Sequence, residues 1–256
     1  METFVYLAFR FVLLFYAIML VLAPVALRYQ FRYRAKFSPH SIAVEDLPAA
    51  ARNFIEPKIK AIEAWGFDIL NWLKFDGGSP GTHSFMVLLS NPHTREWADV
   101  SYVFAGAKSR GYVEFITACS DGSQLDTNTN ALAPVLFPTP KRYVFRFPQI
   151  EDVFTLYRLH RMLVQLNLNS SYPVLPPNGQ ELIELQRRLE RYGPWQRSRG
   201  YMYLDATDGS YRLTWKGAMI GGWLSIWPMP QLRAWQMRLQ SEAIVQKLGV
   251  SQQNAS

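Results

Sequence analysis

The sequence predicts an α+β protein, with an N-terminal transmembrane helix followed by an antiparallel sheet with flanking helices and a C-terminal apolar, amphipathic segment. Three observations lead to this fold class. A long apolar run lies near the N-terminus, short stretches rich in aromatic and β-branched residues follow it, and apolar residues then recur at helical spacing. With 256 residues, of which 49% are hydrophobic, the chain is long enough for one large folded domain or two small ones.

The predicted membrane anchor covers residues 4–27. Residues 11–27 read FVLLFYAIMLVLAPVAL and contain no charge. Extending the run back to Phe4 adds one charged residue, Arg10. A helix of this length measures roughly 36 Å, which exceeds the ~30 Å hydrocarbon core of a bilayer. The alternative is a cleaved signal peptide, but no cluster of bases precedes the run, and Pro24 follows Ala23 at the candidate cleavage site. We therefore expect an uncleaved anchor.

Basic residues predict the orientation of this anchor. A basic juxtamembrane linker, residues 28–40, contains Arg28, Arg32, Arg34 and Lys36, whereas Arg10 is the only Lys or Arg before it. Because Lys and Arg are enriched on the cytoplasmic side of membrane segments, we expect a single-pass protein of the cell inner membrane with its main domain in the cytoplasm. The single cysteine, Cys119, excludes an intramolecular disulfide and fits a reducing compartment.

The net charge of +7 belongs to the flanks of the two apolar segments. Nine of the 27 Lys and Arg residues and two of the 20 acids lie before Phe37 or after Arg212, which leaves 18 of each between them. A nucleic-acid-binding domain is usually basic itself, so this distribution argues against nucleic acid as a partner. It favours anionic lipid, because bases near an anionic membrane surface are attracted to it.

An α+β domain is predicted over residues 41–215. It begins with one kinked helix or two short helices before Gly66, with Asp46 as a possible N-cap and Pro57 as the kink. The glycine-rich GGSPG at 77–81 lacks the lysine of a phosphate loop and predicts a turn. Short strands at even spacing favour an antiparallel meander; they are Asp68–Phe75, Ser84–Leu89, Asp99–Phe104, Tyr112–Cys119 and Gln124–Thr127.

Two Asp-Gly pairs predict hairpin turns, one at Asp121-Gly122 and one at Asp208-Gly209. Between them, a proline-rich crossover contains one predicted strand, Tyr143–Phe147. Two amphipathic helices should follow. The first, from about 150 to 168, carries Val153, Leu156, Tyr157, His160, Leu163 and Val164; the second, from about 178 to 192, carries Leu182, Ile183, Leu185 and Leu189 opposite Arg187, Arg188 and Arg191.

The terminal segment, residues 216–248, is predicted to be an apolar stretch and an amphipathic helix in the membrane interface, before a disordered tail at 249–256. The uncharged run after Lys216 falls short of the roughly 20 residues that span a bilayer comfortably. Trp215, Trp223 and Trp227, with Lys216 and Arg233 beside them, are typical of an interfacial belt. Two alternatives stay open, a second transmembrane helix and ordinary packing in a soluble core.

Several short motifs resemble those of an uncharacterised group of bacterial membrane-anchored proteins. They are DGSQLDTNTN paired with FPTPKRYVFRFP, a helix containing LYRLH, and TWKGA before an apolar stretch. The resemblance covers most of the chain after Leu47. It implies the architecture of an N-terminal anchor followed by this order of motifs, and no activity.

Candidate chemistry is sparse in the sequence. The polar run after Asp121 offers oxygen ligands, but its spacing does not match a calcium loop and its residues are typical of turns. The four histidines lack the paired spacing of a zinc helix, so no metal or cofactor is predicted. If the protein is an enzyme, Glu114, Asp126, Asn128 and His160 are the most plausible polar site.

Two function classes follow from these observations. The first is a membrane-tethered, non-catalytic module whose cytoplasmic domain rests on the inner leaflet and binds a protein partner or lipid headgroups. The second is a membrane-proximal, hydrolase-like enzyme that uses the polar site. Convergence of Asp126, Asn128 and His160 in one pocket would favour the enzyme.

Overall fold

The computed structural model describes residues 2–76, 81–131, 137–168, 171–177 and 179–249, and it shows the predicted α+β fold. The predicted turn at 77–81, apart from Gly81, and the predicted tail after Gly249 lie outside these residues. The helices are α1 (Glu2–Gln30), α2 (Ala49–Glu63), α3 (Val153–Asn167), α4 (Glu181–Glu190), α5 (Tyr192–Ser198), α6 (Trp215–Ser225) and α7 (Met229–Lys247). The strands are β1 (Tyr33–Arg34), β2 (His40–Ser41), β3 (Asp68–Asp76), β4 (Thr82–Asn91), β5 (Glu96–Ala105), β6 (Lys108–Ala118), β7 (Gln124–Asn128), β8 (Arg142–Arg146), β9 (Met202–Leu204) and β10 (Ser210–Leu213).

Strands β2 to β8 form one seven-stranded sheet in sequence order. The predicted antiparallel meander is confirmed from β3 to β7, and β2, which was not predicted, pairs antiparallel with β3. The last pair differs, because β8 runs parallel to β7. The crossover between them brings the chain back to the start of β7, where the Gln124 N–H donates to the Lys141 carbonyl at 2.8 Å.

Both predicted hairpin turns are present. Gly122 and Gly209 adopt φ values of +80° and +66°, a region that favours glycine. The preceding aspartates stabilise the turns, because Asp121 and Asp208 accept hydrogen bonds from the backbone N–H groups of Ser123 and Ser210 at 3.0 and 2.9 Å.

The seven-stranded sheet has two different faces. The closed face carries Phe85, Val100, Phe115 and Leu125 and is covered by α2 and α3. The open face carries Leu88, Trp97 and Ile116, against which α4 packs through Leu185. Side chains alternate between the two faces along each strand, so neighbouring residues have opposite surroundings.

Helix α2 is a single helix rather than two. Pro57 lies inside it, and Asp46 belongs to a separate 3-10 turn (Val44–Asp46), so the predicted N-cap role of Asp46 is wrong. Ile55, Ile59 and Ile62, on both sides of the proline, are all buried against the closed face. This packing keeps the helix continuous, since tertiary burial contributes more to helix stability than local propensity.

A small sheet of order β1-β10-β9 joins the end of α1 to the start of α6. Helix α1 extends through Arg28 to Gln30, and Arg34 lies in β1, so these parts of the predicted basic linker are regular structure. From Phe4 to Gln30, α1 is the one described helix that is long and apolar enough to cross a membrane. None of its most apolar stretch is buried within the protein.

Candidate functional site

A cavity of about 790 Å³ lies between the open face, α4, α5 and the segment that leads into β8. Ligand sites in proteins measure about 300–1,000 Å³, so it is large enough for a small organic molecule. Its apolar lining includes Phe37, Phe75, Met86, Ile116, Leu185 and Leu189, and its polar lining includes Asp99, Glu114, Arg142, Arg146 and Arg188.

Strand register places the polar groups of β5 to β8 in a row on the open face. Asp99 lies opposite Glu114, which lies opposite Asn128, which in turn lies beside Arg146. Residues paired across neighbouring strands point to the same side of the sheet. Four strands therefore contribute acidic, amide and basic side chains to one surface.

Asp126 is fully buried and is held by two donors. It accepts hydrogen bonds from Gln124 Nε2 at 2.6 Å and from Arg142 Nε. Because a buried carboxylate is costly without a charged partner, the Asp126–Arg142 ion pair is what allows this side chain to stay in the sheet.

Asp99 and Glu114, the other two carboxyl groups on this surface, have raised pKa values. Burial raises the pKa of Asp99 well above its ordinary value, and repulsion from Glu114 raises it further. Burial also raises the pKa of Glu114, and the Asp126 carboxylate adds to the increase. Asp99 accepts from Ser101 Oγ at 2.8 Å, and Glu114 accepts from Asn128 Nδ2 at 2.7 Å. Both environments therefore shift the carboxyl group toward its neutral form.

Arg188 extends from α4 into this region. Its guanidinium carbon lies 4.0 Å from the centroid of the Trp97 ring, a cation–π contact. Only 9% of the side chain is exposed, and Nε lies 3.5 Å from Glu184 Oε1. Nη1 is buried and has no hydrogen-bond acceptor among the described residues. A buried N–H group without an acceptor destabilises the protein, so Arg188 is the least satisfied charged group at the cavity.

His160 lies on α3 against the closed face, where it joins a separate network. Its Nε2 lies 2.9 Å from Thr117 Oγ1, and its Nδ1 lies 3.0 Å from Thr127 Oγ1. Thr117 donates to Glu96, which also accepts from Tyr157 and from Arg161. Complete burial lowers the pKa of His160 to about 3, and Arg161 contributes, so the imidazole is neutral.

The structure brings together three of the four residues of the predicted polar site. Glu114, Asp126 and Asn128 lie on the open face, whereas His160 contacts Thr127, which points to the closed face between them. The sheet therefore separates the imidazole from the carboxyl groups. One pocket that contains Asp126, Asn128 and His160 is not found among the described residues.

Sequence reasoning missed Asp99, Arg142, Arg146 and Arg188. Arg142 and Arg146 are four residues apart in KRYVFRF, and this even spacing is a signal for the two β8 arginines, since it puts both on one face of a strand. The prediction that Arg188 faces solvent with Arg187 and Arg191 is wrong, because it is nine-tenths buried. Ile183, predicted to pack inward, is instead exposed.

The predicted membrane-interface bases have partners within the protein. Arg28 donates to Tyr203 Oη at 2.9 Å, Arg32 lies 3.6 Å from Asp208, and Arg34 lies 3.0 Å from Asp76. Lys216 donates to the Arg199 carbonyl, and Arg233 lines a small depression with Arg146. Lys36 borders a separate depression beside β3. Trp215, Trp223 and Trp227 are exposed by more than half of their surface.

Metal-ligating residues and similarity to known proteins add no assignment for this site. The described part of the chain contains no cluster of three or more His, Cys, Asp or Glu residues placed to hold a metal ion. Comparison with protein families, with curated proteins and with solved structures found no match to this chain.

Proposed function

We propose that the protein is a membrane-tethered binding module, anchored by α1 in a single pass through the inner membrane, with its main domain in the cytoplasm. The support for the tether is that α1 exposes apolar side chains along most of its length; Phe4, Phe11 and Val21 each expose more than 60% of their surface. A surface of this kind is stable in lipid and unfavourable in water. The bases Arg28, Arg32 and Arg34 favour the cytoplasmic side for the domain.

The cavity on the open face is the binding site in this proposal, and its ligand is an amphiphile with an anionic head. The observation that carries it is Arg188, a nine-tenths buried guanidinium at the cavity whose Nη1 has no acceptor in the part of the chain that the structure describes. A carboxylate or phosphate oxygen beside the guanidinium, which lies over the Trp97 ring, would supply this acceptor, and arginine binds both kinds of oxygen well.

The charge balance of the cavity supports an anion. Arg142, Arg146 and Arg188 line the cavity, whereas the Asp126 carboxyl group is paired with Arg142 and burial raises the pKa values of Asp99 and Glu114. The apolar part of the lining fits a hydrocarbon chain. Lipid headgroups thus remain the favoured partner chemistry, in the form of an amphiphile that enters the cavity.

The cavity also lies close to the tether. Helix α1 ends at Gln30, and both Tyr33 and Phe37 line the cavity a few residues later. An amphiphile that leaves the membrane therefore has a short path to the site. The alternative of a hydrolase-like enzyme has weaker support, because His160 lies across the sheet from Asp126 and Asn128.

Ligand-detected NMR tests the proposed ligand class, with full-length protein in nanodiscs of neutral lipid and empty nanodiscs as the reference. The probes are octanoate, octyl phosphate, octanol and inorganic phosphate. We expect octanoate and octyl phosphate to bind. Octanol lacks a charge-assisted hydrogen bond, which contributes about 1.5–3 kcal/mol, and inorganic phosphate lacks the apolar chain, so both should bind at least about tenfold more weakly. Similar binding of octanol and octanoate would overturn the anion-binding site.

Two variants on α4 localise the binding. Arg188→Gln removes the charge at the cavity, whereas Arg187→Gln removes the neighbouring charge, whose side chain is 62% exposed. We expect Arg188→Gln to weaken octanoate binding about tenfold and Arg187→Gln to change it little. Equal affinities of the two variants would place the amphiphile elsewhere, for instance in the lipid around α1.

The tether has its own test. An alkaline carbonate wash should leave the full-length protein in the membrane pellet, and a reporter fused after Lys36 should be active only if it functions in the cytoplasm. Recovery in the supernatant, or activity of a periplasm-dependent reporter, would contradict the tether or its orientation and leave the cavity measurements standing.

A further inference from the structure

Helix α6 packs on α1 through a face of small residues. Ala218, Gly221 and Gly222 are buried in α6, and Gly222 lies against α1, whereas the neighbouring Gly217 packs against the Tyr201 carbonyl. At Gly222, a β-carbon would lie 2.7 Å from the Pro24 ring, so a larger residue there would force the helices apart. Small residues three or four apart are how helices approach each other closely inside membranes, where hydrophobic burial contributes little to association.

The two helices run in opposite directions along each other. Trp215, at the start of α6, lies near Arg28, with the guanidinium carbon 6.0 Å from the indole centroid. Gly222 lies against Pro24, and just beyond the end of α6 the Trp227 carbonyl accepts a hydrogen bond from the Tyr16 hydroxyl at 2.5 Å. From Arg28 back to Tyr16, α1 measures about 18 Å, so α6 follows it for roughly half of a ~30 Å hydrocarbon core.

The opposite side of α6 is apolar and uncovered. Met219 and Trp223 expose 56% and 62% of their surface, and Trp227 exposes 64%. From Gly217 to Leu232 the chain carries no charge, and Lys216 and Arg233 lie at the two ends of this run. Such a surface is favourable against acyl chains, and the flanking bases suit the headgroup level.

Helix α7 returns the chain to the main domain. On α7, Ser241 Oγ accepts a hydrogen bond from Gln149 Nε2 at 2.7 Å. Ile244, Val245 and Leu248 pack against the core of the closed face. Leu232, Trp235 and Leu239 are exposed on the other side of α7. The segment before α6 and the end of α7 are therefore both attached to the same domain, which is incompatible with a second crossing.

We infer that α6 is a re-entrant helix, which enters one leaflet beside α1, turns near Trp227 about halfway through the bilayer, and leaves through α7. This orientation follows the axis of α1 and differs from a helix that lies in the plane of the interface. The partner of the exposed face of α6 is the acyl-chain region of a single leaflet.

Site-directed spin labelling measures this depth in the full-length protein, reconstituted in lipid bilayers. In a Cys119→Ser background, single cysteines replace Lys216, Met219, Trp223 and Trp227, and each spin label is tested for access to oxygen and to a water-soluble nickel complex. We expect the ratio of oxygen access to nickel access to rise steadily from position 216 to position 227. Gln246→Cys, on the exposed end of α7, is the matched control and should be accessible to nickel.

Each other pattern would overturn the inference. A uniform shallow depth at all four positions indicates a helix in the plane of the interface, and low access to both reagents indicates packing inside the protein. High nickel access at 223 and 227 indicates that α6 lies outside the membrane. Because four positions report independently and each variant is checked for carbonate resistance and circular dichroism, loss of folding in one variant does not decide the result.

Discussion

Buried polar residues on the two faces of the seven-stranded sheet differ in how completely their hydrogen bonds are satisfied. On the closed face, His160 and Glu96 are fully buried, and hydrogen bonds to Thr117, Thr127 and Tyr157 satisfy them. On the open face, Arg188 keeps an Nη1 without an acceptor, and Asp99 and Glu114 have raised pKa values. Within the His160 network of the closed face, the charged groups of Glu96 and Arg161 are paired with each other.

This difference indicates different uses for the two faces. A satisfied network such as that of His160 rigidifies a core and needs no ligand. Unsatisfied charged groups beside a cavity destabilise the free protein and are compensated when a ligand supplies their partners. The open face is therefore the better candidate for function, and the following changes test whether the two faces differ as described.

Truncation of one phenylalanine on each face should give the largest difference. Phe115, fully buried on the closed face, contacts Phe67, Tyr157 and His160 through its ring, so Phe115→Ala should lower the free energy of unfolding by about 3–5 kcal/mol. Phe37 borders the existing cavity, so Phe37→Ala should cost about half as much. Urea unfolding in detergent, followed by circular dichroism, measures both; equal losses would mean that the open face is packed as tightly as the closed one.

Acidification should destabilise the closed face through His160. Its pKa is about 3 in the folded protein and 6.5 in the unfolded chain, so the unfolded chain takes up the proton first. The free energy of unfolding should fall as pH drops from 6.5 toward 3, by up to about 1.4 kcal/mol per pH unit. His160→Gln should lose this contribution. The check is the difference in pH dependence between the two proteins; identical slopes between about pH 7 and pH 5 would show that the imidazole is not buried in neutral form.

Neutralising Asp99 on the open face should change the free energy of unfolding least, and any change should be an increase. Its pKa is raised in the folded protein, so the unfolded chain ionises first and wild-type stability falls as pH rises above the ordinary value of 3.8. Asp99→Asn removes this loss of stability with rising pH. At neutral pH the free energy of unfolding should therefore stay unchanged or increase by about 1 kcal/mol. Asp68→Asn, at an exposed position, is the control. A clear loss of stability in Asp99→Asn alone would mean that Asp99 is ionised and required for folding.

Part of the candidate site was predictable from the sequence. Asp126 and Asn128 belong to the polar run after Asp121, and Glu114 of the preceding strand was predicted to join them; the Asp121-Gly122 turn fixes the register that aligns the three. His160 was predicted to join them because the sequence does not show which side of the sheet its helix covers. Thr127 alone, between Asp126 and Asn128, shows how one residue of offset reverses the face.

Arg188 could not be predicted from its own helix. In α4, three arginines at 187, 188 and 191 look like one solvated face, because helical periodicity alone does not say where the wide apolar stripe ends. Only the position of Trp97 in β5, distant in sequence, decides that Arg188 turns inward and that Ile183 turns outward.

The sequence by itself determined the elements that depend on local chemistry: the apolar α1, the strands of the meander, the two Asp-Gly turns and helix α3. These rest on side-chain periodicity and backbone preference, which act over a few residues. The tertiary structure alone decided that β8 runs parallel to β7, that α2 continues through Pro57 and that α6 lies along α1. Each of these depends on contacts between residues far apart in the chain, such as Gly222 with Pro24, whose energy no local pattern contains.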